Sequence, residues 1–225
     1  MIMKIREKTI TLSKNTVEIL KNFCNINRSI IFSPGNKITT ISVADNVFAE
    51  ANVDESFPQE FAIYELQEFL QGVTLLPDNI ISFDNESYLK IKSGRSTIKY
   101  YFSDSSLIKR APDKLEFPQA DVEFSLTEKE ILSLLRTASL YELPDLSVIG
   151  DGESITVVVC NKNNETAHTF SIVVGETDKT FSYNMKMENL KIMDGDYKIS
   201  ISSKLISKFE NLKCDLTYYI ALERP

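Results

Sequence analysis

The sequence predicts an α+β protein of two similar halves, each with two helices laid on antiparallel sheets. Three observations predict it. Short alternating runs rich in Thr, Ile, Val, Tyr and Phe recur along the whole chain of 225 residues. Two segments replace that alternation with the period of an amphipathic helix. Segments of the first half also return in the second at nearly constant spacing, which is the mark of a duplicated unit.

The strand runs are Ser29–Phe32, Lys37–Val43, Tyr88–Ile91, Thr97–Phe102, Ser154–Cys160, Thr169–Val174, Tyr197–Ser202 and Leu216–Leu222. Each is bounded by Gly, Pro, Asn or Asp, and turns of a few residues separate neighbours, so the pairing is expected to be antiparallel. In Lys14–Ile26 the apolar Val17, Ile19, Leu20, Phe23, Cys24 and Ile26 gather on one face, and Ser13 stands where an N-cap belongs. In Glu128–Ser139 the apolar face is Ile131, Leu132, Leu134, Leu135 and Ala138, and Thr127 with Glu130 forms a capping box.

The two helices match at a shift of 115 residues, so that Lys14 meets Lys129, Lys21 meets Arg136, and Val17, Ile19 and Leu20 meet Leu132, Leu134 and Leu135. Phe61–Leu70 lines up with Phe181–Leu190 at a shift of 120, and Tyr100-Tyr101 with Tyr218-Tyr219 at 118. These matches predict a first domain over residues 1–107, a connector over 108–120 and a second domain over 121–225. The joint Ser103–Asp121, with Pro112, Pro118 and several charges, reads as exposed.

Hydrophobic residues make up 43% of the chain, enough for a core and too much for wholesale disorder. No apolar run reaches the ~18–20 residues of a membrane span. Met1 to Thr11 has no apolar stretch of the signal-peptide kind, so an intracellular protein is expected. Cys24, Cys160 and Cys214 fit neither a zinc spacing nor a disulfide framework and are expected to be reduced and mostly buried. The net charge is −7, unevenly spread: residues 1–110 carry 13 basic and 13 acidic groups, residues 111–225 carry 12 and 19. That balance argues against nucleic acid as a whole-molecule partner, yet it does not say where the positive side chains point.

Catalytic patterns are missing. The single histidine, His168, lies in a strand-like run and is expected to be a sheet or surface residue. Neither a phosphate-cradling glycine loop, nor H-E-x-x-H, nor a nucleophile elbow occurs, so no catalytic residue and no cofactor is expected. Glu142, Asp145, Asp151 and Glu153 could be imagined around a cation or in a hydrolytic site, but they lack the spacing of a calcium loop and read as a solvated acidic loop. What the chain does offer is two helix faces with a basic pair at i, i+7, which places both side chains on one side, two turns apart. On one helix an exposed Lys/Glu face is ordinary. Its recurrence at matched positions suggests contact with phosphates that does not read bases.

Seven segments, Leu12–Asn27, Phe48–Asn52, Ala62–Leu66, Arg95–Ile98, Leu134–Arg136, Gly195–Lys198 and Tyr219–Glu223, spread over nearly the whole chain, carry a family likeness in their order and spacing. By these the chain resembles the sliding clamps of T-even-like bacteriophages, the processivity factors of phage DNA polymerase. The resemblance implies the DNA-clamp fold of eukaryotic and archaeal clamps. In that fold two similar domains per subunit close head to tail into a homotrimeric ring around duplex DNA, helices inside and sheets outside. It implies no enzymatic activity, a separate ATP-driven clamp loader, a phage DNA polymerase as partner, service to late transcription, no membrane, and the cytoplasm of the infected bacterial host. Lys14, Lys21 and Arg136 match basic positions of the family's inner helices, Lys191 a lysine near its last helix, and Lys129 follows from the repeat. Ser139 departs from the pattern where a further base is expected. Glu65 and Glu68 leave the Phe61–Leu70 helix without a base. Lys186 and Lys191, about 140° apart on a helix, would not both face the duplex. An apolar partner pocket is expected from Leu115, Phe117 and Pro118 on the connector with Ala221 and Leu222 at the end. Met1 to about Lys8 forms an extension beyond the family's start. The competing readings are an acidic, β-rich protein-binding module that never touches DNA, and an enzyme built on Asp145, Asp151 and Glu153.

Overall fold

A computed structural model describes residues 8–164 and 166–224, and the N-terminal extension falls almost entirely outside them. The chain divides into two units, one ending at Asp113 and the other beginning at Lys114. No helix among the described residues is long and apolar enough to cross a membrane.

The first unit runs β1 (Thr9–Ile10), α1 (Lys14–Ile26), β2 (Ile30–Phe32), β3 (Gly35–Ile41), β4 (Val47–Phe57), β5 (Phe61–Ile63), α2 (Leu66–Leu75), β6 (Ile80–Ser82), β7 (Tyr88–Ser93) and β8 (Ser96–Tyr101). Strands β1, β6, β7 and β8 lie side by side in that order, while β3 pairs with β4 and β2 with β5. Its core is aromatic. Phe32 stacks on Phe61 at 4.5 Å and tilts against Phe57 at 4.7 Å, and Phe61 meets Phe83 at 5.2 Å. Rings that bury this much area dominate the energetics of a small core. Residues 108–113 are pinned here: Ile108 is buried, Lys109 pairs with Asp45 at 2.6 Å, and Arg110 forks onto Glu60 at 2.8 and 3.1 Å.

The second unit runs β9 (Val122–Leu126), α3 (Glu128–Leu140), β10 (Asp145–Asp151), β11 (Ser154–Cys160), β12 (Phe170–Glu176), β13 (Thr180–Lys186), a 3₁₀ turn at Met187–Asn189, β14 (Tyr197–Ser202), β15 (Ile206–Asn211) and β16 (Leu216–Ala221). One sheet has the order β12-β11-β10-β13, and β16, β15, β14 and β9 lie side by side in that order. Beneath them, Tyr197 and Tyr218 are fully buried yet satisfied: the Tyr197 hydroxyl donates to the Met193 carbonyl at 2.6 Å, and the Met193 N–H donates to Tyr218 at 3.1 Å. Burial pushes the Tyr197 phenol up to about 12 and Tyr218 higher still.

The element order of the first unit is therefore repeated in the second, and β1-β6-β7-β8 reappears as β9-β14-β15-β16. One expected helix does not form. Phe181–Lys186 belongs to β13, where alternate Phe181, Tyr183 and Met185 meet Gly150, Val148 and Leu146 of β10, and only Met187–Asn189 curls into a 3₁₀ turn. Period two wins over the aligned helix because β10 offers seven paired positions and a dry face. The counterpart Phe61–Leu70 is likewise divided, β5 first and α2 from Leu66 onward.

The acidic group is not a solvated loop. Asp145 opens β10 with no exposure at all, bonded to Lys186 Nζ at 2.6 Å and to the Lys162 N–H at 3.0 Å. Lys186 reaches on to Glu223 at 3.3 Å, and Lys162 Nζ closes the network on the same carboxylate at 2.5 Å. Asp151, by contrast, sits in the exposed β10–β11 turn, where the N–H groups of Ser154 and Glu153 hold its carboxyl below the usual range. His168 precedes β12, exposed, with its ring 4.7 Å from that of Tyr141. The three cysteines are free and half-buried, and burial pushes the Cys24 thiol up to about 11.

Two substitutions test this packing. A Cβ added at Gly150 would lie 2.8 Å from the Lys179 carbonyl and against the Phe181 ring. Gly150→Ala is expected to cost about 1–3 kcal/mol in denaturant unfolding. Lys186→Met leaves the buried Asp145 carboxylate without its counter-ion and is expected to cost about 2 kcal/mol. The hydrogen bond to Asp145 raises the Lys186 pKa, so its contribution is complete at neutral pH and is lost only as alkaline pH rises through the folded value. A wild-type midpoint in the Met variant would contradict the role given to this pair.

Candidate nucleic-acid interface

Helix α1 starts where Ser13 turns its hydroxyl to the Thr16 N–H at 3.2 Å. Glu55 of β4 seconds that cap, accepting from the Ser13 N–H and from the Thr16 hydroxyl at 2.6 Å. Helix α3 starts on the reciprocal Thr127–Glu130 box, and Asp196 accepts the Glu128 N–H at 2.8 Å. A carboxylate at a helix N-terminus satisfies orphan donors and complements the dipole. Both helix starts are thus fixed by acids from elsewhere in their own unit.

The buried stripes then fix the rotation. Helix α1 buries Thr16, Ile19, Leu20, Phe23 and Ile26, and α3 buries Ile131, Leu134 and Ala138. At the 115-residue shift, Thr16, Ile19 and Phe23 fall on Ile131, Leu134 and Ala138. The caps are one residue closer in register, yet the packed faces keep the shift that relates the bases. At ~100° per residue, Lys14 and Lys21 lie opposite the α1 stripe, and Lys129 and Arg136 lie opposite the α3 stripe. Seven residues advance ~10.5 Å along the axis, so each helix presents two cations about two turns apart. All four side chains are exposed, and among the described residues none is in an ion pair. Such groups are free to take phosphate oxygens without first surrendering a partner.

Not every expected base falls into this arrangement. Lys191 is exposed but follows the 3₁₀ turn in coil, not on a helix. Lys186 is committed to Asp145 and Glu223. The expectation that one helix would turn only one of the two toward the duplex therefore lapses with the helix. Glu68 is exposed in the first turn of α2, and Glu65 stands at its N-cap with Arg28 at 3.6 Å, so α2 adds no positive charge. Between α1 and α2 runs a groove of about 350 Å³ lined by Lys21, Cys24, Asn25, Gln67, Leu70, Gln71 and Thr74. Its counterpart in the second unit, about 310 Å³, passes Leu135, Ser139, Glu142 and Met187. Ser139 thus occupies the place that Cys24 holds in the first unit, and the lining there is less positive.

The residues expected to receive partners lie in the second unit. Leu115, Phe117 and Pro118 are half-buried, and the Phe117 ring lies 6.3 Å from Tyr219 with Lys208 Nζ 5.3 Å above it. Ala221 ends β16 half-buried, and Leu222 is buried, its N–H bonded to the Leu205 carbonyl at 2.9 Å. Phe117 is therefore fastened to the sheet, and Leu115 and Pro118 flank it. Sequence reasoning overlooked Glu55, whose inward position in β4 the alternation of Ala49, Ala51, Val53 and Phe57 would have revealed. It read both strands of the β7–β8 hairpin but not their charge: Lys90, Lys92, Arg95 and Lys99 with no acid. Among the described residues no three His, Cys, Asp or Glu side chains are grouped to hold a metal.

Known proteins are similar to this chain in sequence and in fold. The family model of the DNA polymerase processivity factor matches residues 13–109, and that of the gp45 sliding clamp, C terminal, matches residues 123–224. The sliding clamp of Vibrio phage KVP40 is 33% identical over 94% of this chain and 98% of its own length. Those of Escherichia phage RB69 and Enterobacteria phage T4 are each 30% identical over 94% of this chain and 96% of theirs. Proliferating cellular nuclear antigen from Entamoeba histolytica has the same fold, with a TM-score of 0.70 at 14% identity over 97% of this chain and 98% of that one. The A. fulgidus clamp solved with the C-terminal region of FEN-1 gives 0.70 at 12% over the same shares. These likenesses do not favour a binding module indifferent to DNA. A duplicated clamp fold, two matched basic helix faces and relatives along almost the entire chain agree: the chain belongs to the phage sliding clamps, the processivity factors of DNA polymerase.

Proposed function

We propose that three copies close head to tail into a ring around duplex DNA, with Lys14, Lys21, Lys129 and Arg136 turned to the phosphates and Lys191 as an outlying fifth base. The observation that carries this reading is the recurrence of an unpaired basic pair opposite the buried stripe of both α1 and α3. Contact of this kind is sequence-independent and salt-sensitive. A few loose contacts suit a ring that must slide. Holding power then comes from closure, which turns polymerase rebinding into an intramolecular event at high effective concentration.

Closure by identical subunits requires two different surfaces. β8 and β12 are end strands of their sheets, and each exposes a large apolar side chain, Tyr101 at 61% and Val173 at 68%. An exposed apolar edge strand is a liability unless another chain covers it. The partners of the ring are the phage DNA polymerase and a clamp-loader ATPase, received at Leu115, Phe117, Pro118, Ala221 and Leu222. The clamp itself does no chemistry, and the ATP-driven opening is the loader's. The place of action is the cytoplasm of the infected bacterium, and late transcription is a further process such a ring would serve.

Lys21→Ala with Arg136→Ala tests the reading. The side chains are exposed and unpaired, so stability is expected to change by less than about 0.5 kcal/mol per site. Processive primer extension with the cognate polymerase and loader is expected to fall several-fold at moderate salt. Unchanged extension would remove these residues from the duplex contact.

A further inference from the structure

The hairpin Tyr88–Tyr101 carries Lys90, Lys92, Arg95 and Lys99 and no acid, in a chain whose net charge is −7. The register sets Tyr88 opposite Tyr101, Lys90 opposite Lys99 and Lys92 opposite Thr97, so three lysines and two rings share one face of the sheet. Ile80 continues that face beside Lys92, and Ser82 beside Lys90. Helix α2 lies on the other face. Ile91 and Ile98 meet it at Gly72, and Tyr100 turns its ring edge-on to Phe69 at 5.5 Å. Helix α1 packs beside α2, so Lys14 and Lys21 belong to the helix side of the unit and the hairpin lysines to its back.

This back face is charged against the interest of the fold. Like charges directly opposite on neighbouring strands destabilise a sheet. Among the described residues no carboxylate pairs with Lys90, Lys92, Arg95 or Lys99. Asp78, Asp84 and Glu86, the acids nearest in sequence, stand in the flanking turns and are in no ion pair either. Lys99 is offset within the hairpin, its Nζ 4.0 Å from the Tyr88 ring centre and 4.6 Å from that of Tyr101. Lys90 Nζ is 5.8 Å from Tyr88. Lys92 and Arg95 are exposed, and charge complementarity calls for an anion from outside.

Two observations select peptide carboxylates over a nucleic-acid strand. A sheet face that binds single strands offers open aromatic faces on which bases stack. Here both rings are engaged with Lys99 and tilt against each other at 5.5 Å. Lys90 and Lys92 are also two residues apart in an extended strand, about 6.6 Å, which is the spacing of alternate side chains in any other extended chain. A long polyanion would meet the acid excess of the rest of the molecule, whereas a short acidic segment meets only what lies within a screening length.

We propose that the back face of the β7–β8 hairpin docks an extended acidic segment of a partner protein, alternate carboxylates pairing with Lys90 and Lys92 and a further one with Lys99 or Arg95. Side chains stand perpendicular to a sheet while strand pairing runs in its plane, so this face stays open whatever covers the β8 edge. Docking there needs no closed ring.

Fluorescence anisotropy of a short labelled peptide alternating Glu and Ser, titrated with the full chain, tests the assignment. Saturable binding is expected at about 50 mM salt, and about tenfold weaker binding at about 500 mM, where the screening length falls to a few ångströms. Lys90→Gln with Lys92→Gln is expected to weaken binding about tenfold at low salt. The same pair is expected to leave the melting midpoint unchanged or raise it, because repulsion across the strands is relieved. Lys179→Gln with Lys204→Gln removes the same charge from exposed sites of the second unit and is expected to bind the peptide as the wild type does. Absence of saturable binding, equal weakening in both double variants, or a lowered midpoint in the hairpin variant would overturn the docking face. A labelled thymidine strand of matched length that binds more tightly than the peptide, and loses that binding in the hairpin variant, would overturn the peptide in favour of nucleic acid.

Discussion

A helix that buries one stripe has no freedom over what its opposite stripe presents. In α1 that stripe is Ile19, Leu20 and Phe23, and in α3 it is Ile131, Leu134 and Ala138. Once these side chains are dry, Lys14, Lys21, Lys129 and Arg136 must face outward. The caps hold the other degree of freedom, position along the axis. Glu55 and Asp196 come from distant points of their units to fix it. The polar function of each face is therefore set by apolar packing behind it.

Net charge takes on a different meaning in this light. An acidic chain is a poor candidate for gripping a polyanion by affinity, and affinity is not what a clamp needs. Positive side chains outside any ion pair line two helix faces and one hairpin, and the acid excess lies in the second half. Part of that acid is structural. Asp145 and Glu223 are consumed by Lys186 and Lys162, which tie the chain's last residues to β10 and β13. Others, among them Asp151, Glu153, Glu176 and Asp178, are exposed to water.

Much of this was legible in the sequence, and the failures share a cause. Helices α1 and α3 were readable because period and cap agree within one short segment. The repeat was readable because the buried faces keep one shift. The β13 segment was not, since its partner β10 begins with an aspartate that local reading assigns to solvent. Only the lysine arriving 41 residues later makes Asp145 a buried strand residue. β4 differs: its alternation is local, and only the reason for burying Glu55, the cap of a helix some 40 residues earlier, is distant. Where a charged residue is buried by a distant partner, pattern and propensity point the wrong way. Lys191 was readable as a base but not as lying in coil.

On the function proposed above, this chain holds DNA by enclosing it and not by affinity. Retention of the loader-assembled clamp on nicked circular DNA, before and after the circle is cut once, tests that most directly. Enclosure predicts stable retention on the circle at moderate salt and rapid loss once an end exists. Equal retention on circular and linear DNA would contradict it.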